Sequence, residues 1–483
     1  MPSIIRRGGL RQYRPSSFLF LFILVPILAL AQSPGTPEQR TNRYLESIRH
    51  SPPLALAFLR EMPKGGDLHN HLEGAIYAED LIDFAADDKL CLNKSTMTAI
   101  GGECDYSCDP QAPKTAISCA YRDQSLYNQM IDAWSMRNWE RGPESGHDHF
   151  FASFYKFDLA ATNHMGEATA RAMERAAADN LEYVEFMHTI GGMQSAQLGT
   201  KLGFNSDFAT MRDKFLAGGL KDTVAAARKD LDHEQDVIQK MLACGTPSAL
   251  PACDVSVRYL YQVLRGLPPE QVFAQMLAGF ELASVDPRVV GLNLVMPEDW
   301  YIPMRDFNLH MRMLDFLHGI YPRVHISLHA GELAMGLVPP EGLSFHIRHS
   351  IELGHAERIG HGVSVMDEHN PVQLLEEMSE RKILVEICLT SNDIILGVSG
   401  DNHPLPIYRK YNVPVALATD DEGVARSDMT HEYLRAVETY NLSYLDLKKM
   451  ARQSLQYSFV DAKEKSRLRK KLDQDFEAFE NKF

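Results

Sequence analysis

Two histidines separated by one residue, His69 and His71, form the first pair in the chain whose spacing suits a metal ion. On an extended strand residues i and i+2 point to the same side, so both imidazoles can reach one cation. Neutral imidazole suits zinc, and catalytic zinc sites keep one position open for water. Alone, such a pair is more often two surface histidines. Three further fragments raise its weight. The run Val324-His325-Ile326-Ser327-Leu328-His329 alternates so that His325, Ser327 and His329 share a face, and Ala330-Gly331-Glu332 follows it. Glu332 then sits in the loop past His329, beside any metal-bound water without having to ligate, where a general acid/base belongs. In Arg358-Ile359-Gly360-His361-Gly362 a histidine lies between glycines that allow close backbone approach. Thr419-Asp420-Asp421 ends another apolar run with two adjacent carboxylates. Neighbours at a strand end point different ways, so one can bind metal while the other faces substrate. Each fragment singly reads at least as well as an N-capping aspartate or a satisfied core histidine. Together, at one end of one fold, they are hard to obtain by accident.

The elements that must position these residues are legible as a rhythm. Short apolar or alternating runs at 67–72, 183–188, 255–260, 289–295, 324–329, 358–361, 383–388 and 413–419 read as strands. Helical patterns at 166–180, 269–283, 308–319 and 371–380 lie between them. Alternating strands and helices predict a parallel sheet covered by helices. Eight such units predict a closed (β/α)8 TIM barrel, whose active site lies at the C-terminal ends of the strands, where the polar fragments fall. One interval breaks the rhythm. Between the first and second strands an insertion at about 86–165 is far longer than a usual crossover. It holds clustered cysteines and an aromatic-rich helical part around Tyr127–Phe157, and is expected to sit on the barrel mouth. Gln32–Thr41 reads as a flexible lead-in, and Ala462–Phe483 as a surface helix.

The chain of 483 residues is 45% hydrophobic and 23% charged, with a formal net charge of -15. That balance argues against a nucleic-acid binder, which would show a basic face, and says little about a neutral small substrate. Arg6, Arg7, Arg11 and Arg14 precede an apolar run, Phe18–Ala31, ending Ala29-Leu30-Ala31. This reads as a signal peptide over 1–31, leaving 32–483 as a single barrel domain, secreted or periplasmic and free of membrane once cleaved. Cys91, Cys104, Cys108 and Cys119 cluster, and Cys244 and Cys253 flank a second loop; disulfides are the natural reading outside the cytoplasm, with three pairings open for the first four. Cys388, inside an apolar run, is expected to be a small buried hydrophobe.

The motifs GDLHNHLEGA, SLHAGE, RIGHG and ATDDEG, in this order, resemble the metal-dependent adenosine and AMP deaminases. Met62-Pro63-Lys64-Gly65-Gly66 is similar to the lead of the secreted branch, the adenosine deaminase-related growth factors; the TDDEG form looks closer to bacterial exported adenosine deaminases. The resemblance runs from Met62 to about Glu432. It implies one zinc held by His69, His71, His329 and Asp420, and a water made acidic enough to add as hydroxide to C6 of a purine. Glu332 would deliver a proton to N1, His361 would orient the attacking water, and Asp421 would hydrogen-bond N7. His71, Glu73 and Gly331 would also meet the substrate, Glu73 near the ribose 5′-hydroxyl. The implied reaction turns adenosine or 2′-deoxyadenosine into inosine and ammonia; adenine or a modified adenine is the alternative substrate, and a catalytically decayed nucleoside-binding or signalling protein the alternative of another class. No partner beyond the nucleoside is implied, and a homodimer stays open. Two departures stand out. Met296 falls where relatives often carry a glycine, and Glu422 follows the aspartates where proline is usual. The other zinc deaminase plan, with its PCxxC element, is absent after Pro251-Ala252-Cys253. A bridging lysine for a second metal is missing from 293–300.

Overall fold

The computed structural model describes residues 35–483, so the expected signal segment 1–31 lies outside the described residues. Eight parallel strands form one sheet in strict chain order. They are β1 (Gly65–His71), β2 (Leu181–His188), β3 (Ser256–Leu264), β4 (Val289–Val295), β5 (His325–Ala330), β6 (Arg358–His361), β7 (Leu384–Ile387) and β8 (Val415–Leu417). The predicted strands all form. β4 and β6 match to the residue, and the others differ by a few residues at their ends. All eight residues of β2 are buried, as expected where helices cover one face of a parallel strand and the barrel interior the other.

The first and last strands meet through an isolated parallel bridge between Asn70 and Asp420. His71 N–H donates to the Asp420 carbonyl at 2.8 Å, and Asp420 N–H to the His69 carbonyl at 2.9 Å. The seam that nearly closes the barrel is therefore made by three of the expected metal ligands. Closure and site assembly are one event in this fold.

Helices surround the sheet. Pro269–Val285, with proline in its first turn, buries much of its length, including Phe273, Leu277 and Phe280. The helix expected at 308–319 begins earlier and spans Tyr301–Ile320, because Pro303 falls within its first turn, where the missing N–H has no helical partner to lose. The lead-in differs from its expectation. Residues 37–41 open a helix, Pro37–Ile48, fixed by a capping box in which Thr36 and Gln39 exchange side chain-to-backbone hydrogen bonds at 3.1 and 3.2 Å. The C-terminal helix Ala462–Glu480 buries Leu468, Leu472, Phe476 and Phe479 on one stripe, so it is a packed layer as well as a surface. Among the described residues no helix is long and apolar enough to cross a membrane.

The insertion after β1 holds a three-stranded antiparallel sheet, with Cys91–Asn93 flanked by Thr98–Ile100 and Lys114–Ala116. Disulfides join Cys91 to Cys104 and Cys108 to Cys119, and a third joins Cys244 to Cys253. Each closes a short loop, which holds together a segment with little core of its own. Cys388 is buried and unpaired. The last helix of the insertion, Gly146–Ala161, returns to the barrel and buries Phe150 and Phe157.

Candidate active site

The C-terminal ends of the strands bring the expected metal ligands together. Nε2 of His329 lies 3.1 Å from Nε2 of both His69 and His71, and Oδ1 of Asp420 lies 3.4 Å from both His69 Nε2 and His71 Nε2. A tetrahedral shell with zinc–nitrogen bonds of ~2.0–2.1 Å has edges of roughly 3.4 Å. The donor spacing fits that ion.

Hydrogen bonds on the far side of each ring fix the tautomers. His69 Nδ1–H donates to Glu386 Oε2 at 2.7 Å, His71 Nδ1–H to Gln262 Oε1 at 2.8 Å, and His329 Nδ1–H to Asn293 Oδ1 at 2.8 Å. With each ring neutral, as metal binding requires, three Nε2 lone pairs and a carboxylate oxygen converge on one point; against the pull of burial, the Asp420 and Glu386 carboxylates raise the pKa of His69 to about 10, so a cation must displace a proton there. Such a cluster repels itself unless a cation occupies it, and the oriented far-side partners are those a metal-binding histidine needs. Gly360 makes room: a Cβ there would come within 2.5 Å of His69 Cε1. His361 and Asp420 both adopt left-handed backbone (φ 65° and 63°), a strain that collects at functional sites.

Glu332 is 7% exposed, and its Oε1 is buried without a partner. Burial, together with the Asp420 and Glu298 carboxylates, holds its carboxyl well above the usual range, toward the protonated form. Glu298 anchors the loop that carries it. One Glu298 oxygen accepts Gly331 N–H at 3.1 Å, the other Glu332 N–H at 2.9 Å, and buried His346 completes the clamp. Asp421 is also raised well above the ordinary carboxylate range, by burial first and Asp420 second, and its Oδ1 is buried and unpartnered. It enters only because residue 74 is glycine; a Cβ at Gly74 would overlap Asp421 Oδ1 at 1.7 Å.

His361 ends a chain of defined protons. The Leu405 N–H donates to His403 Nδ1 at 3.1 Å, so the neutral ring carries its proton on Nε2 and donates to Asn392 Oδ1 at 3.1 Å. The Asn392 amide then donates to His361 Nδ1 at 3.0 Å, which leaves the proton of His361 on Nε2. That atom is buried without a partner, 3.7 Å from Glu332 Oε1. Burial pulls the pKa of His361 down to about 3 and that of His403 to about 4, so both rings stay neutral near pH 7. His361 therefore presents a fixed N–H donor and not a base.

These groups border a cavity of about 960 Å³. His71, Glu73, His329, Glu332, Asp420 and Asp421 line it; Gly331 does not, and its N–H is taken by Glu298. Glu73 accepts from Gln262 Nε2 at 3.1 Å. Met296 also lines the cavity and has a left-handed φ of 81°. The backbone shape that favours glycine is kept there while a thioether side chain fills part of the pocket. Phe154 and Tyr155, from the last helix of the insertion, form part of the wall.

Sequence reasoning missed Glu386, Gln262, Asn293, Glu298, Asn392 and His403. One signal was available for Glu386: a lone carboxylate in the apolar run Ile383-Leu384-Val385-Glu386-Ile387-Cys388, where an unpaired charge is not tolerated.

The family model described as Adenosine deaminase matches residues 222–475. An adenosine deaminase of Pectobacterium atrosepticum is 35% identical over 192 residues, covering 40% of this chain and 52% of that protein. The chain thus spans about half the length of this curated relative. Among solved structures, an adenine deaminase from Arthrobacter aurescens aligns with TM-score 0.52 and 18% identity, covering 85% of this chain and 98% of that one. The apo N6-methyl-AMP deaminase from Arabidopsis thaliana aligns with TM-score 0.56 and 19% identity, covering 87% and 98%. At such identities the structural likeness speaks for the barrel alone.

Proposed function

The chain belongs to the adenosine deaminase family, and from that premise we propose that it is a one-zinc hydrolase that converts adenosine or 2′-deoxyadenosine to inosine or deoxyinosine and ammonia. The observation that carries this reading is the convergence of three imidazole lone pairs and Asp420 beside a buried, proton-bearing Glu332 and the fixed N–H of His361.

His69, His71, His329 and Asp420 would hold the zinc. When bound, zinc acts as a Lewis acid that lowers the pKa of a water at its open position. The residues of the chain do the rest. Asp421, kept neutral by burial, donates to N7 and fixes the ring. His361 Nε2–H steadies the oxygen that adds to C6 and takes up charge developing on it. Glu332 gives its proton to N1 as the C6–O bond forms. As the C6–N bond breaks, one proton of the added water passes to the departing nitrogen, which leaves as ammonia, the other restores Glu332, and a carbonyl remains at C6 with hydrogen on N1. The buried setting of these groups lowers the local dielectric, which strengthens each electrostatic contact.

Residues 32–483 would act as a single domain, delivered by the segment 1–31 outside the cytoplasm; the three disulfides favour an oxidising compartment. The test is to purify the mature protein, measure its zinc, and follow ammonia release from adenosine, deoxyadenosine, adenine and AMP side by side. One zinc per chain with release from a nucleoside is expected. Release from adenine alone would move the substrate to the free base, and a folded protein with neither zinc nor turnover would sink the reading.

A further inference from the structure

The lumen of a (β/α)8 barrel is ordinarily filled by layers of branched apolar side chains. Behind His69 this chain places a charged layer instead. Glu185 on β2, Arg358 on β6 and Glu386 on β7 are all fully buried. With the eight strands in chain order, β2 and β6 lie four strands apart and face each other across the lumen. The Arg358 side chain crosses it. Its Nη2–H donates to Glu185 Oε2 at 2.5 Å, and its Nε lies 2.7 Å from Glu386 Oε1 as an ion pair, with the N–H not aimed at that oxygen.

This layer fixes how Glu386 meets the metal site. Glu386 Oε1 is taken by Ser327 Oγ–H at 2.9 Å and by the guanidinium, which leaves Oε2 for His69 Nδ1–H at 2.7 Å. Arg358 is itself held from the far end. Its Nη1–H donates to the Tyr457 carbonyl at 3.1 Å, and the Phe459 ring covers the guanidinium with 3.8 Å between Cζ and the ring centroid. Phe459 N–H and Tyr183 O–H both donate to Glu185 Oε1 at 2.7 Å. Phe459 also stacks on His325, the first residue of β5, so it sits at the N-terminal end of the barrel. That face ordinarily serves stability. A fully buried ion pair, however, stabilises a fold no better than apolar side chains of the same volume. Packing alone gives no reason for this layer; the orientation of His69 does.

We infer that Arg358 is a positioning residue for the metal: from the closed end of the barrel it fixes the carboxylate that orients His69. The inference rests on the metal-binding part of the deaminase reading and on no particular substrate. The planar guanidinium meets Glu185, Glu386 and the Tyr457 carbonyl at once, a fork that the point charge of a lysine does not reproduce.

The test compares Arg358→Lys and Glu185→Gln with Phe280→Leu, a control in the outer helix Pro269–Val285, each in the full protein. Competition with a chelator reads zinc affinity, the visible absorption of the cobalt(II)-loaded protein reads ligand geometry, and thermal melting reads the stability of the metal-free form. Losing the partner of a ligating histidine costs ~10–100-fold in metal affinity. Arg358 acts one residue further out, so Arg358→Lys and Glu185→Gln are each expected to lose about tenfold, the low end of that range, and to shift the cobalt spectrum. Phe280→Leu should lower the melting temperature and leave zinc affinity and spectrum native. If both lumen variants melt lower yet keep native zinc affinity and spectrum, Arg358 serves stability alone and the inference is overturned. Should Arg358→Lys fail to fold, Glu185→Gln decides, because it changes almost no volume and keeps an acceptor for Phe459 N–H while turning an amide donor toward the guanidinium. A native protein that takes up no zinc would sink the metal reading and the inference with it. Tenfold losses in a protein that binds zinc but deaminates no purine would support the inference and sink the reaction.

Discussion

Asn392→Asp changes almost no volume, yet it reverses the logic of the chain that ends at His361. In the native protein the Asn392 amide donates to His361 Nδ1 at 3.0 Å and its carbonyl accepts from His403 Nε2 at 3.1 Å. An aspartate can only accept. The neutral His361 ring would therefore move its proton to Nδ1 and turn a lone pair toward the reacting oxygen. Loss of one preorganised donor to developing negative charge costs ~10²–10³ in kcat, or about 2.7–4 kcal/mol. The new carboxylate also raises the pKa of His361 from its depressed value of about 3. Below that raised pKa the ring becomes an imidazolium and regains its Nε2–H; above it the ring is neutral and in the wrong tautomer. The variant should lose ~10²–10³ of kcat at pH 8 and recover part of it on acidification, an acid-favoured limb the native enzyme lacks. Steady-state kinetics on adenosine from pH 5 to pH 9, with zinc content and circular dichroism as controls, reads this directly. Native kcat across that range, in a folded zinc-loaded variant, would refute the assignment of His361 as a tautomer-fixed donor. A uniform loss with no pH dependence would point to simple disruption of packing.

Other outcomes follow from the same geometry. Glu332→Gln should keep zinc at native occupancy and lose ~10²–10⁴ of kcat, since it removes a proton donor and no ligand; near-native turnover would take the proton step away from Glu332. Asp420→Asn should instead weaken zinc retention, and stoichiometric zinc after dialysis against a chelator would place Asp420 outside the ligand set. Glu386→Gln acts beneath the metal. Glu386 is fully buried between His69 Nδ1, Ser327 Oγ at 2.9 Å and the Arg358 guanidinium at 2.7 Å. Zinc affinity in a chelator competition should fall ~10–100-fold, and urea denaturation should show a loss of roughly 3 kcal/mol, at the lower end for a broken buried pair because Glu185 still pairs with Arg358; an unchanged zinc affinity would remove Glu386 from the metal site. Glu182 gives a pH test of stability. Burial raises its carboxyl to about 8 in the folded state, from an ordinary value of 4.5. The folded form then holds a proton that the unfolded chain has shed, so its stabilising share is full below the unfolded pKa and lost as pH rises toward 8. Glu182→Gln should be neutral at pH 4 and stabilise the fold by at least ~1 kcal/mol at pH 8.5, discounted for partial solvent access; equal melting temperatures of variant and native protein at pH 8.5 would refute it.

The amino-acid sequence by itself determined the barrel, because its information is local: eight apolar runs separated by helical patterns can bury themselves in few ways, and β4 and β6 were legible to the residue. It also determined which side chains are candidates for the ion, since the His69–His71 spacing, the loop after His329 and the Asp420–Asp421 pair each sit at a strand end whose direction is set by the parallel order. What only the tertiary structure decided is pairwise and distant. The disulfide partners were one choice among three until the insertion folded. The lead-in at 37–41 read as flexible because its capping box spans only four residues and precedes any apolar run, while its helix is held by packing against the C-terminal part of the chain. The tautomers of His69, His71, His329 and His361 depend on Glu386, Gln262, Asn293 and Asn392, each on another strand or the segment that follows one. A proton's place on an imidazole is set by what faces the opposite nitrogen, and no spacing along the chain encodes that.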